Sequence, residues 1–158
     1  MQLVPFEDEH ASIVKDWFES KQDALMWGGR VFGWPLLSKA IIERSLANEI
    51  EFFVLMNQDE LVGFIEFQTT STNELRFCRV AVAPSSRGKG VGKVLIRAAI
   101  EKAKTNSDIT VVTLAVFKNN VSAKKCYESI GFEVFDREPK YKVFDGQVWP
   151  LYQMRRFL

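Results

Sequence analysis

Two groups of residues in this 158-residue chain have the types and spacing to do chemistry. The first is Arg87-Gly88-Lys89-Gly90-Val91-Gly92-Lys93, in which glycines alternate with basic and apolar residues. Glycines let the backbone turn tightly and approach a ligand without Cβ interference. An apolar-striped helix follows, and its first turn offers unpaired N–H groups and a partial positive charge. With Arg87, Lys89 and Lys93, the stretch suits a phosphate or pyrophosphate. A glycine-rich turn with a solvated basic edge is the simpler reading of the same residues. The second group is Asn120, Ala123, Tyr127, Gly131 and Phe132. Here an amide able to cap a helix precedes, by about two helical turns, a phenol on that helix's apolar stripe.

Spacing separates the phosphate-binding classes. A Walker loop carries Ser or Thr after its lysine, whereas Val94 follows Lys93. A dinucleotide fingerprint has G-x-G-x-x-G and an acid after the next strand; this loop is G-x-G-x-G, and the strand ends near Phe117 and Lys118. The arrangement that fits is R-x-x-G-x-G, supplied by Arg87, Gly90 and Gly92 after Val80-Ala81-Val82-Ala83-Pro84. This resembles the central motif of the GNAT acetyltransferase superfamily. The second group resembles that family's other signature, N-x-x-A-x-x-x-Y-x-x-x-G-F, and falls one strand after the first. Two motifs in the right order are more specific than either alone.

The resemblance implies acetyl-CoA as acyl-donor cosubstrate, with its pyrophosphate on Arg87, Gly88, Lys89, Gly90, Val91, Gly92 and Lys93. Backbone groups of Val80, Ala81 and Val82 then hold the pantetheine and the thioester carbonyl. Asn120 contacts the pantetheine arm, and Tyr127 presents its hydroxyl to the departing sulfur as general acid. A phenol with an ordinary pKa near 10 is protonated at neutral pH, and thiolate is a good leaving group. The reaction implied is direct attack of a primary amine, on a small molecule or a peptide or protein terminus, within a ternary complex. Tyr127 also reads simply as a packing residue. Glu66 and Glu74 are candidates for the base that deprotonates the amine, and both also read as solvated strand carboxylates.

The elements that must position these groups follow from periodicity. Strands are expected over 51–57 and 61–68 as a hairpin, then over 75–83, leading into the glycine loop. The following helix carries Val94, Leu95, Ala98, Ala99 and Ala103 on one stripe. A β-branched strand over 109–117 should pair in parallel with the strand before the loop. A helix capped by Asn119 or Asn120 then presents Ala123, Cys126, Tyr127 and Ile130, and Gly131 ends it. Extended segments over 132–135, 141–144 and 148–157 close the chain. The fold expected is α/β, a mixed but mostly antiparallel sheet flanked by helices, in a single domain over 1–158.

Ahead of the hairpin, 1–6 reads as a strand and Glu7-Asp8-Glu9 as a helix start, with Ile13, Val14, Trp17 and Phe18 apolar. Residues 25–36 read as a loop with Gly28, Gly29 and Gly33, and Pro35 as the start of a second helix. Trp27, Phe32 and Trp34 either staple that loop to the core or wall an acceptor. By resemblance the loop borders the acceptor, as does the final turn near Trp149, and Arg30 becomes a candidate partner for an acceptor carboxylate or phosphate.

Composition bounds the rest. A 47% hydrophobic, 26% charged chain with net charge +1 reads as an ordinary globular protein, with neither nucleic acid nor a membrane as partner. Cys78 and Cys126 read as buried free thiols, and a lone histidine, His10, excludes a multi-histidine metal site. No metal is expected. A cytoplasmic location follows from the lack of a signal peptide or transmembrane run. Oligomeric state stays open, a homodimer included. A non-catalytic acyl-CoA sensor is the alternative function, and a nucleotide-binding module a third.

Overall fold

A computed structural model describes residues 1–135 and 140–158. Its sheet runs in the order β1-β2-β3-β4-β5-β8-β6, with β7 paired to β8. The strands are β1 (Gln2–Pro5), β2 (Ile50–Asn57), β3 (Glu60–Thr69), β4 (Glu74–Val82), β5 (Val111–Phe117), β6 (Glu133–Val134), β7 (Lys140–Phe144) and β8 (Gln147–Phe157). All described pairings are antiparallel except β4 with β5. That exception follows from the helical crossover between those strands. The expected mixed, mostly antiparallel sheet is the one observed.

The helices are α1 (Ala11–Val14), α2 (Lys21–Phe32), α3 (Ser38–Ser45), α4 (Val91–Ala103) and α5 (Val121–Ser129). One face of the sheet packs against α4 and α5 around Leu55, Ile65, Phe77, Leu95, Ile96 and Leu114. The other packs against α1 to α3 around Val14, Trp17, Phe32, Ile41, Val54 and Phe64. Strand alternation feeds both cores, since Val54 and Leu55 point to opposite faces.

Three local expectations are corrected. Residues 25–32 are helical, because Phe32 folds back over Gly28, where a Cβ would lie 2.5 Å from its ring. The glycines there serve packing and a kink at Gly29, where φ is +60°. The next helix starts at Ser38, with Leu37 as its N-cap and Pro35 in the preceding turn. On α4 the buried stripe is Val91, Leu95, Ile96, Ala99, Ile100 and Ala103, and Val94 is exposed.

His10 is a capping residue. Its Nδ1 accepts from the Glu7 backbone N–H at 2.9 Å, and its ring meets Phe6 edge-on. Both cysteines are free and half-buried rather than fully buried. Burial raises both thiol pKa values, which leaves little thiolate at neutral pH.

Candidate active site

The site begins as a fault in β4. Phe64 pairs with Ala81, but Glu66 pairs with Cys78, so Arg79 and Val80 together oppose Ile65. This is a β-bulge, and Arg79 within it takes a left-handed φ of +50°. The bulge turns β4 away from β5. Their pairing covers only Glu74 to Phe77 against Val111 to Leu114, while β5 stays paired to β8 through Phe117. The edge of β4 from Cys78 to Val82 therefore has no strand partner on that side among the described residues. Between the diverging strands opens a cleft of about 590 Å³.

Two side chains hold this open edge in shape. Trp27 Nε1 donates to the Arg79 carbonyl at 2.8 Å, with its ring stacked on Phe18 at 4.4 Å. Arg87 Nε donates to the Val82 carbonyl at 3.1 Å. Trp27 is thus first a staple between α2 and the bulge, although it also lines the cleft.

At one end of the cleft lies the glycine loop. Gly88 and Gly90 have φ of +72° and +80°, with open space where a Cβ would be. Gly90 is the N-cap of α4 and has no side chain to cap it. The first intrahelical bond runs from Val94 N–H to the Gly90 carbonyl, which leaves the amides of Val91, Gly92 and Lys93 without helical partners. A Cβ on Gly92 would lie 3.7 Å from the Val82 side chain, so the loop runs close against the strand edge. This is an anion-binding geometry, with the right donors, dipole and access. Lys89 is folded back onto the Ser85 carbonyl at 2.9 Å.

Asn120 and Tyr127 line the cleft from α5. Asn120 Oδ1 accepts from the Ala123 N–H at 3.2 Å, so the side chain caps the helix and keeps its amide N–H groups for other partners. Tyr127 is half-buried against Phe132 and has no hydrogen-bond partner among the described residues. Burial, then the neighbouring Cys126, raises its pKa far above the ordinary 10. The phenol is a neutral donor at any physiological pH.

Of the other sequence candidates, Val80, Ala81 and Val82 line the cleft. Arg30 and Trp34 are exposed and do not line it. Trp149 does not line it either, although its cross-strand partner Lys142 does. Glu66 is not a solvated carboxylate. It is fully buried, with Oε1 accepting from Arg44 at 2.9 Å and Arg79 at 2.9 Å, and Oε2 from Arg44 at 3.4 Å. Glu74 accepts from Thr70 Oγ1 at 2.6 Å, at the far end of β4 and outside the lining.

Sequence reasoning missed a cationic wall. Arg44, Arg76, Arg79, Arg87 and Lys142 all line the cleft, and the only lining carboxylate among the described residues is Asp23. The usable signal was Arg76 and Arg79 inside an apolar strand. Arg44 and Lys142 give no local signal, since they arrive from α3 and β7. No group of three His, Cys, Asp or Glu side chains among the described residues is arranged to hold a metal. No helix among them is long and apolar enough to cross a membrane.

The model of the acetyltransferase (GNAT) family matches residues 8–132. The chain belongs to that family. GNAT relatives agree with the geometry. Mycothiol acetyltransferase of Corynebacterium efficiens is 30% identical over 128 residues, 80% of this chain but only 43% of the relative's length. Among solved structures, spermidine N-acetyltransferase from Vibrio cholerae in complex with CoA and spermine superposes with a TM-score of 0.82 at 19% identity, covering 99% of this chain and 94% of that one. The ribosomal-protein-alanine N-acetyltransferase of Brucella melitensis gives 0.77 at 17% identity, covering both chains completely. At these identities the structural likeness speaks for the GNAT fold alone.

Proposed function

We propose that this chain is an N-acetyltransferase that seats acetyl-CoA along the open edge of β4 and transfers its acetyl group to a primary amine. The observation that carries the reading is the cleft itself: a bulge-split sheet with an anion cradle at one end and a neutral phenol facing the slot. Acetyl-CoA supplies the acyl group as an activated thioester. The amides at the start of α4, with Arg87 and Lys93, suit its pyrophosphate. The edge of Val80 to Val82 that faces away from β3 offers strand-like donors to the pantetheine arm, and Asn120 has amide N–H groups left to add. The same edge can donate to the acyl oxygen as negative charge develops there.

The amine nitrogen forms a bond to the acyl carbon as the carbon–sulfur bond breaks, and the sulfur needs a proton. Tyr127 supports that departure as a donor. Its raised pKa makes complete transfer to a thiolate uphill, so the phenol acts chiefly by hydrogen-bonding the developing charge. Glu66 does not serve as the base, because two arginines occupy its oxygens. Instead the cationic wall disfavours the ammonium form of a bound amine, as nearby like charge lowers an amine's pKa. The displaced proton leaves by solvent, with Asp23 the carboxylate at hand.

Amine-dependent release of free CoA thiol from acetyl-CoA tests the reading. Tyr127→Phe is expected to lower kcat by about 100-fold or more while acetyl-CoA affinity changes little. Unchanged kcat would remove the phenol's role. Binding of acetyl-CoA without turnover of any amine would favour an acyl-CoA sensor.

A further inference from the structure

We infer that the acceptor is an amine that also carries an anionic group, a carboxylate or a phosphate, held by Arg76 and Lys142 beside Arg79. The inference rests on the acetyl-transfer reading and names the substrate class of that site.

The cations divide along the cleft. Arg87 belongs to the cradle, bonded to Val82 at the loop end of β4. Arg76 lies six residues earlier on the strand, roughly 20 Å away at the usual rise per residue. It therefore sits too far along the cleft to share the pyrophosphate. Arg76 and Cys78 pair with Gln68 and Glu66 on β3, which places them on the sheet face that carries α1 to α3. That is the face opposite α4 and α5. Lys142 enters this side from β7, whose turn is tied to α2 by the Lys21–Asp145 ion pair at 3.1 Å.

Charge compensation here is incomplete. Glu66 answers Arg44 and Arg79 together, one carboxylate for two guanidiniums. Arg79 Nε is buried with no hydrogen-bond partner. Arg76 donates to Gln153 Oε1 at 3.1 Å, a neutral acceptor, and has no ion-pair partner among the described residues. Lys142 likewise has no carboxylate partner among them. Partial desolvation, then the Arg79 and Arg76 charges, lowers the Lys142 pKa. Half-buried guanidiniums with incomplete charge pairing favour an anion at this wall, and the exposed Lys142 adds its charge from the rim. A polyamine is the wrong sign for this wall. An amine bearing a carboxylate or phosphate supplies the missing charge and lies with its nitrogen toward the bulge.

Matched amines test this by thiol release: tyramine against tyrosine and histamine against histidine for carboxylate, ethanolamine against phosphoethanolamine for phosphate. The anionic member of at least one kind of pair is expected to have a kcat/KM at least 10-fold higher, and the kind that gains identifies the anion. Lys142→Gln and Arg76→Gln should each shrink that preference several-fold through KM. Lys142 stands on a hairpin away from both cores, so its variant keeps the test valid if Arg76→Gln folds poorly. Turnover that favours the members lacking the carboxylate or phosphate, or spermidine, would overturn the inference and leave acetyl transfer standing. If no amine turns over, calorimetry of the same compounds with CoA-saturated protein decides: tighter binding of the anionic members, weakened in Lys142→Gln, supports the site, and equal or absent binding overturns it.

Discussion

The two halves of the cleft are built in different ways. The cradle end comes from one continuous stretch of strand, loop and helix, and it works through backbone: glycine dihedrals, free amides and a helix dipole. The end we assign to the acceptor is lined by side chains separated by most of the chain, Arg44, Arg76 and Arg79, and Lys142, and would work through charge. A contiguous backbone site fixes a cofactor class shared across a family. A dispersed side-chain site can change sign with a few substitutions while the fold stays the same. The likeness of this fold to a spermine-bound structure therefore says little about the charge of its acceptor.

Breaking each half should give distinct signatures. The largest effect on folding is expected at Glu66. Glu66→Ala leaves two half-buried guanidiniums without their shared carboxylate, and such a broken buried pair costs about 3 kcal/mol or more. Chemical denaturation reads the loss, and Glu66→Gln should recover part of it. A Glu66→Ala protein as stable as the parent would mean that solvent already screens the trio.

Arg87→Ala attacks the other half. Losing a charge-assisted contact is worth about 1.5–3 kcal/mol, so acetyl-CoA affinity should fall by roughly 10- to 100-fold. Preference among amines should not move. An unchanged dissociation constant would sink the pyrophosphate assignment.

Asn120 separates capping from binding. Asn120→Ala removes the cap and should cost about 1 kcal/mol of stability as well as cofactor affinity. Asn120→Ser keeps a capping oxygen, so it should weaken acetyl-CoA binding with stability nearly intact. If Asn120→Ser leaves binding unchanged, Asn120 acts only as a cap.

The smallest expected effect is at Lys142. Its folded pKa lies below the ordinary lysine value, so the charged form is disfavoured by folding. The penalty is fully present below the folded pKa and is relieved as pH rises from there to the ordinary lysine value. Solvent screens much of this at the exposed Lys142, so Lys142→Gln should be only marginally more stable at pH 7, and the gain should fade at alkaline pH. A destabilised variant would indicate that Lys142 already has a stabilising partner.

Legibility followed the same division. The succession of elements along the chain, the parallel crossover and both motifs could be read because they rest on local periodicity, turn residues and caps. Residues 25–36 misled because glycines there signal a loop, whereas Gly28 makes room for the Phe32 ring within a helix. Glu66 misled because an acid on a strand is usually solvated; its burial depends on Arg44, which arrives from another element. The bulge that splits the sheet left one trace, Arg79 beside Arg76 in an apolar strand. Its left-handed backbone and the Trp27 staple depend on tertiary packing.

Thermal unfolding with acetyl-CoA, with ATP and NAD as controls, tests the central claim most directly. At about 100 times its dissociation constant, acetyl-CoA should add about 2.7 kcal/mol. That corresponds to a rise in Tm of roughly 5–10 °C for a chain of this size, reduced at the same concentration in Arg87→Ala. No rise with acetyl-CoA, or an equal rise with ATP or NAD, would contradict the account.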